Sequence, residues 1–132
     1  MIFLDSSFII SSYCSVEENH ETSREILRKI AEANDRLVLT DHVLSEVVTL
    51  VRRRYGSRRA FEVGNSIFNA MNTEVIQASR EELEKALRIV LKYENFSFCD
   101  ALTVTVMERE GIRKIVSFDS DFDAIKTIER MH

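Results

Sequence analysis

The segment IVSFDSDFDAI, residues 115–125, joins a short apolar run to three aspartates at alternating positions. Residues 115–118 have the length and composition of a buried β-strand. The like charges of Asp119, Asp121 and Asp123 repel one another, so something must compensate for holding them together. The segment therefore predicts a strand that ends at a polar site, and the fold depends on whether other strands end in the same way.

Similar short apolar runs alternate with longer amphipathic segments along the chain. The predicted strands are residues 2–4, 37–39, 74–76 and 115–118, with an edge strand near 127–131. The predicted helices are about 21–33, 41–55, 57–71, a segment that begins at the Ser79–Glu82 capping box, 98–110 and a short helix after Asp119. This alternation predicts an α/β domain with a central, mostly parallel sheet of four or five short strands.

Two of the helices carry further expectations. The helix that begins at the capping box places Leu83, Leu87, Val90 and Leu91 on one stripe, opposite charge pairs four residues apart. The helix over residues 98–110 is apolar on most sides, which predicts a central, buried position.

Composition limits the class of protein. The 132 residues suffice for one domain, expected to span residues 1–132, and the net charge of -4 argues against a polyanion binder that relies on overall charge. Cys14 and Cys99 form no CxxC pair and the histidines show no zinc spacing, so two reduced thiols in a cytoplasmic protein are expected. No signal peptide is expected, and no apolar stretch reaches the roughly 20 residues of a membrane span.

Four acidic residues fall where a parallel sheet places its ligands, outside the carboxyl ends of the strands. Asp5 follows the first predicted strand and Asp119 follows the fourth. Glu46 lies in the second turn of the helix after the second strand. Asp100 lies in the first turn of the helix that Ser97 caps. We therefore expect these four carboxylates to converge at one rim of the sheet.

Converging carboxylates are costly without a cation, and oxygen-only ligands suit Mg²⁺ or Mn²⁺. Taken singly, each acid has another interpretation, because an aspartate after a strand is a common helix cap and a first-turn acid favours the helix dipole. Glu46 and Asp100 lie in otherwise apolar stretches, where a charge needs a partner. As a set, the four acids predict a metal site.

With these acids in order, the sequence resembles the PIN-domain family of ribonucleases, and in particular the small VapC-type toxins. The resemblance covers the whole chain and rests on IFLDSSFII (2–10), LSEVVTL (44–50), SFCDALTV (97–104) and IVSFDSDFDAI. It implies a three-layer α/β/α PIN-like fold and an endoribonuclease that depends on Mg²⁺ or Mn²⁺. It also implies an RNA substrate, a small antitoxin as partner and a homodimer.

The resemblance carries residue roles as well. The metal-binding, catalytic positions of the family correspond here to Asp5, Glu46, Asp100 and Asp119. Asp121 corresponds to an auxiliary acid. Ser6 and Ser117 fall where the family has small hydroxyl residues that support the site.

A basic run, RRRYGSRR, lies beyond Glu46 at residues 52–59. Arginine suits phosphate contacts and an aromatic ring can stack on a base, so the run is a candidate for RNA binding. Its members are Arg52, Arg53, Arg54, Arg58 and Arg59. Two alternatives stay open, a solvated helix end whose cations favour the dipole, and a contact with an acidic partner.

Three other classes of protein fit less well. A phosphoacceptor receiver domain needs an acidic pair after the first strand, and a haloacid-dehalogenase-like phosphatase needs an aspartate where Ser7 stands. A calcium loop starting at Asp119 needs glycine and glutamate where Ala124 and Arg130 stand. A PIN-like module that binds without cleaving remains the main alternative to an enzyme.

Overall fold

In the computed structural model, which describes all 132 residues, five short strands form one sheet. The strands are Ile2–Leu4 (β1), Leu37–Thr40 (β2), Thr73–Ile76 (β3), Lys114–Val116 (β4) and Glu129–Met131 (β5). Their order is β3-β2-β1-β4-β5, and every neighbouring pair is parallel. The predicted α/β class and parallel sheet are confirmed, including the edge strand near the end of the chain.

Six α-helices and one short 3-10 helix connect the strands. They are Ser6–Tyr13 (α1), His20–Glu32 (α2), Asp41–Tyr55 (α3), Ser57–Asn69 (α4), Arg80–Lys92 (α5), Phe98–Glu110 (α6) and the 3-10 helix Ser120–Ala124. Parallel crossover connections are right-handed. The connections β1 to β2 and β2 to β3 run in one direction across the sheet, and the connection β3 to β4 runs in the other, so they lie on opposite faces. Helices α1 to α4 therefore cover one face and α5 with α6 the other, which gives three layers. No helix has the length and apolar character required to cross a bilayer.

The direction of the strand order reverses between β1 and β4. β2 and β3 lie on one side of β1, whereas β4 and β5 lie on the other. In open parallel sheets, ligands bind at the carboxyl end of such a crevice. The Asp5 N–H donates to the Val116 carbonyl at 3.1 Å, so the two chain segments leave the sheet side by side at that end. The fold thereby brings residues 5 and 117 together from opposite ends of the sequence.

The buried helix α6 anchors one wall of this crevice. All of residues 101–107 are buried, as the apolar character of the helix predicts, and the apolar ones among them belong to a continuous core of 28 residues. A helix packed on most sides has little freedom to move. Its first turn, which carries Asp100, is therefore held at a fixed position relative to the sheet.

Three details differ from the sequence-based expectations, the first being helix α1, which the sequence analysis does not predict. Leu87 and Leu91 of α5 are 62% and 87% exposed, because the side of α5 that packs inward is centred on Glu82 and Ala86 instead. β4 ends at Val116, two residues earlier than predicted. Asp119 therefore follows the strand after two intervening residues rather than directly.

Candidate active site

Asp5 forms the centre of the candidate site. It is 4% exposed and acts as the N-cap of α1. Its Oδ2 atom accepts hydrogen bonds from the Ser7 hydroxyl at 2.5 Å, the Ser117 hydroxyl at 2.7 Å and the Ser7 N–H at 3.3 Å. The Oδ1 atom accepts none, and it is not among the fully buried side-chain atoms that lack a hydrogen-bond partner. One oxygen of Asp5 is thus fixed by the fold and the other faces the crevice.

Two serine hydroxyls tie the segment after β4 to Asp5. The Ser117 hydroxyl accepts from the Asp119 N–H at 3.0 Å, and the Ser7 hydroxyl accepts from the Phe118 N–H at 3.1 Å. Ser6, expected to support the site, is buried but makes no side-chain hydrogen bond, and Ser7 takes that position. Sequence reasoning missed Ser7, although an aspartate N-cap accepts from the second or third residue after it.

Asp119 is also a helix N-cap and Asp100 is also an acid in the first turn of its helix, as their alternative interpretations predicted. The Ser97 N–H donates to Asp100 Oδ2 at 2.8 Å, and the Asp100 N–H donates back to the Ser97 hydroxyl at 3.1 Å. The Asp121 N–H donates to Asp119 Oδ1 at 2.9 Å, which begins the 3-10 helix. Each carboxylate uses one oxygen in this way and keeps the other unbonded. Capping and convergence are therefore compatible roles of the same side chains.

The pKa of Asp100 reflects the charges that lie near it. Burial raises the pKa of Asp100 above its usual value, hydrogen bonds from Ser97 oppose that shift, and the carboxylates of Asp5 and Asp119 raise it further. Carboxylates raise a neighbour's pKa in this way only at close range, because charge repulsion disfavours the ionised form. The three aspartates therefore share one crevice.

Glu46 joins this group through Cys99. Thr40 caps α3 by accepting from the Val43 N–H at 3.2 Å, which places Glu46 one turn further along the helix and half-buried. Burial, followed by the carboxylates of Glu46, Asp100 and Asp5, raises the pKa of the Cys99 thiol, and Glu46 and Cys99 line the same cavity. Glu46, Asp100 and Asp5 thus lie near the Cys99 thiol, and Asp119 lies near Asp100 at the same edge of the sheet.

The donor set fits a hard divalent cation by its chemistry. It offers carboxylate oxygens only, including one oxygen of each aspartate that is free of protein donors, and mutual repulsion that a cation would relieve. With the side chains as the structure places them, no three of the acids, histidines or cysteines form a group that could hold a metal ion. Side-chain rotation of the capping aspartates would be needed to bring their free oxygens onto one ion.

The other two aspartates of the opening segment have different surroundings. Asp121 is half-buried and accepts from the Asn95 amide at 3.5 Å at the outer side of the crevice. Asp123 forms a bidentate ion pair with Arg130, both contacts being 2.8 Å, and this cation lowers the pKa of Asp123. Arg130 also donates to the Ser117 carbonyl at 3.3 Å. Asp123 therefore secures the 3-10 helix to β5 behind the site.

The five arginines do not form a single patch. Arg54 pairs with Glu17 at 2.9 Å, and Arg59 pairs with Glu62 at 3.3 Å and also donates to the Tyr13 carbonyl. The exposed Arg52, Arg53 and Arg58 make no ion pair. Arg53 alone among the five lines a cavity together with Glu46. Residues one position apart on a helix point about 100° apart, so a run of arginines spreads its charges around the helix.

Comparison with known proteins gives consistent similarities over the whole chain. The sequence profile described as "PIN domain" matches residues 2–128. The 23S rRNA-specific endonuclease VapC20 of Mycobacterium tuberculosis is 29% identical over 130 residues, which cover 98% of this chain and 97% of that protein. Ribonuclease VapC13 of the same organism is 28% identical over 134 residues, which cover 99% of both chains.

Solved structures show the same fold. The crystal structure of Mycobacterium tuberculosis VapC20, described as a sarcin-ricin loop cleaving toxin, superposes with a TM-score of 0.86 at 27% identity and covers 96% of this chain and 95% of that one. VapBC2 from Rickettsia felis, bound to a DNA fragment from its promoter, superposes with a TM-score of 0.68 at 17% identity, covering 99% and 98% of the two chains. The second similarity concerns the fold alone.

Proposed function

This chain belongs to the PIN-domain family, and from that premise we propose that it is a metal-dependent endoribonuclease, the toxin of a VapBC-type toxin–antitoxin pair. The observation that carries the proposal is the convergence of four carboxylates, from four separate elements, at the point where the strand order reverses. A purely structural role would not require so many like charges in a half-buried crevice.

The four acids divide into two roles. Asp5, Asp100 and Asp119 each hold one oxygen on a backbone N–H and present the other to the crevice, so they are suited to hold Mg²⁺ or Mn²⁺ in a defined place. When bound, such a cation orients a phosphate, lowers the pKa of a water and offsets charge on the leaving oxygen. Glu46 is the only one of the four that caps no helix, which leaves it best placed to accept a proton from the attacking water.

Other side chains of the crevice would support these acids. Ser117 and Ser7 fix the carboxylate of Asp5, and Asp121 is positioned to contact the water shell of a cation at the outer side. Ser6, which the family resemblance assigned to this supporting role, forms no contact that would serve it. Among the arginines of the basic run, Arg53 has the most direct access to the site.

The substrate class and partners follow from the relatives. VapC20, at 29% identity, is a 23S rRNA-specific endonuclease, so we propose ribosomal RNA as the first substrate to test. Solved relatives of the same fold include toxin–antitoxin complexes, so we propose a small antitoxin as partner, together with a homodimer. Two free cysteines fit the reducing cytoplasm in which ribosomal RNA would be cleaved.

The test is cleavage of purified ribosomal RNA by the protein with Mg²⁺ or Mn²⁺, and with EDTA. Asp100→Asn and Asp5→Asn preserve the side-chain oxygens that accept the capping hydrogen bonds, so both should fold and both should lose at least 100-fold in rate. Asp35→Asn, which alters a half-buried aspartate at the amino end of β2, is the matched control and should cut normally. If the Asp100→Asn protein cuts RNA at the wild-type rate, the site assignment is wrong. If the wild type binds RNA and never cuts it, the chain is a binding module.

A further inference from the structure

Helix α3 carries a polar stripe in addition to Glu46. His42, Glu46, Thr49 and Arg53 are spaced by four, three and four residues, which places them on one face of the helix. On the same helix Val43, Val47 and Val51 are fully buried. The polar stripe therefore lies beside the packed face and borders the crevice of the four acids.

The stripe forms one wall of an open groove. The groove has a volume of about 340 Å³, and its other wall is the first turn of α6, with Phe98 and Cys99. Ligand clefts in proteins start at about 300 Å³, so the groove has room for part of a chain molecule and not for a double helix. Since Glu46 and Cys99 belong both to the groove and to the acid crevice, the two are continuous.

An aromatic pair lies at one end of the groove. The rings of His42 and Phe98 are 6.2 Å apart and meet edge to face at 68°. Both side chains are half-buried, so each presents part of its ring to the groove. The Asp41 carboxylate holds the His42 ring through Nδ1 at 2.9 Å and also accepts from the Ala78 N–H at 3.4 Å. The pair is therefore held in place before anything binds.

A free cation lies at the other end. Arg53 is exposed and has no acidic partner, whereas Arg54, its neighbour in sequence, pairs with Glu17. Arg53 is separated from His42 by 11 residues, roughly 16 Å along the helix at 1.5 Å per residue. Bases stack on aromatic rings and arginine binds phosphate, and proteins that hold single-stranded RNA combine these two kinds of contact.

We propose that the groove between α3 and α6 holds a single-stranded segment of the RNA adjoining the bond that is cut, with a base against Phe98 and His42 and a phosphate on Arg53. This inference rests on the proposed function, because the groove opens into the acid crevice. An acidic peptide would also contact Arg53. Its acidic side chains would not stack on the aromatic pair at the other end, whereas RNA supplies both a phosphate and a base, so RNA fits the whole groove better.

The test compares kcat and KM of the wild type with those of Phe98→Leu and Arg53→Gln on a labelled RNA that the wild type cuts. Phe98→Leu keeps an apolar side chain and removes the ring, and we expect kcat/KM to fall about 5- to 150-fold, the range for loss of one stacked base. Arg53→Gln should raise KM with kcat retained, and should reduce the salt dependence of binding by about 0.7 in the log–log slope.

The control is Arg24→Gln, which removes an exposed, unpaired arginine from α2 and should change neither kcat, KM nor the salt slope. Thermal melting of every variant separates loss of contact from loss of fold. If Phe98→Leu and Arg53→Gln cut as the wild type does, the groove assignment is wrong and the nuclease assignment stands.

A second measurement keeps the two proposals apart. Binding of the same RNA is measured by fluorescence anisotropy in an Asp100→Asn background, where no cleavage is expected. If the wild type proves unable to cut, weaker binding by Arg53→Gln still supports the groove, whereas unchanged or absent binding overturns it.

Discussion

Replacing Ser117 by alanine tests whether the hydroxyl network fixes Asp5. Ser117 is completely buried, and its hydroxyl donates to the Asp5 carboxylate at 2.7 Å while accepting from the Asp119 N–H at 3.0 Å. A hydrogen bond to a charged group contributes about 1.5–3 kcal/mol, and an amide left without a partner costs about 1 kcal/mol or more. Asp119 is only half-buried, so water can satisfy part of that loss. The expected cost is about 3 kcal/mol.

The assay is urea unfolding followed by circular dichroism, without added metal and at neutral pH. For a chain of this size, about 3 kcal/mol corresponds to a fall in Tm of about 10 °C. Ser7→Ala, which removes a hydroxyl bonded to the same carboxylate, should cost about 2 kcal/mol by the same reasoning. Ser6→Ala is the matched control, because Ser6 is buried and makes no side-chain hydrogen bond, and it should stay within about 0.5 kcal/mol of the wild type.

Two results would refute this reasoning. Ser117→Ala with wild-type stability would mean that water replaces the hydroxyl at no cost, and Asp5 would then not depend on the network. A larger loss for Ser6→Ala than for Ser7→Ala would mean that Ser6 supports the site, as the family resemblance implied, and that the hydrogen bonds described for Ser7 are wrong.

Three further predictions address other parts of the structure. The pKa of Asp100 is raised in the folded state, so just above the ordinary range of aspartate, near pH 4, the folded protein holds a proton on Asp100 that the unfolded chain has lost. As the pH rises through that window, the wild type should therefore lose stability relative to Asp100→Asn. Unfolding at a series of pH values measures this difference. Arg109 pairs at 2.9 Å with Glu82, which is 3% exposed, so Arg109→Ala should cost about 2 kcal/mol in urea unfolding, and an equal cost for Glu82→Gln, which keeps the cap, would contradict this explanation. Leu91 is 87% exposed, so Leu91→Lys should change stability by less than about 0.5 kcal/mol. A loss above about 2 kcal/mol would mean that Leu91 packs inward, as the sequence suggested.

Much of the fold could be predicted from the sequence, because β1 to β4 each contain a short apolar run and α2 to α5 have a periodic apolar pattern. The exceptions are β5, which has the sequence ERM, and α6, which is apolar on most sides. The acids could be placed from the same pattern, since residues that follow parallel strands meet at one edge of the sheet. Asp5 is the best example, because its position directly after β1 was sufficient to place it at the carboxyl edge of the sheet.

The remaining features depend on rotations about a helix axis that a pattern does not define. Ser6 and Ser7 differ by one position, and only the N-cap at Asp5 decides which hydroxyl reaches the carboxylate. Likewise Arg53 lines the groove while Arg54 turns away to Glu17. On α5, the inward side is set by the ion pair of Glu82 with α6, a contact between elements that no local window contains.

The polar stripe on α3 had a signal in the sequence that was not used. Polar residues recur at helical spacing among valines and leucines, just as apolar residues recur on a helix face that packs in a core. They are His42, Glu46, Thr49 and Arg53. A search for polar periodicity, alongside the usual search for apolar periodicity, would have separated Arg53 from the rest of the basic run.

The most direct test of the account is stabilisation of the protein by a divalent cation. Binding to the folded state alone adds about 2.7 kcal/mol at a concentration 100 times the dissociation constant. Thermal unfolding with increasing Mn²⁺ should therefore raise the Tm of the wild type and of the Asp35→Asn control by the same amount, and should raise the Tm of Asp100→Asn and Asp119→Asn much less. Equal stabilisation of all four proteins would show that the cation binds elsewhere and would contradict the assignment of the four carboxylates as a metal site.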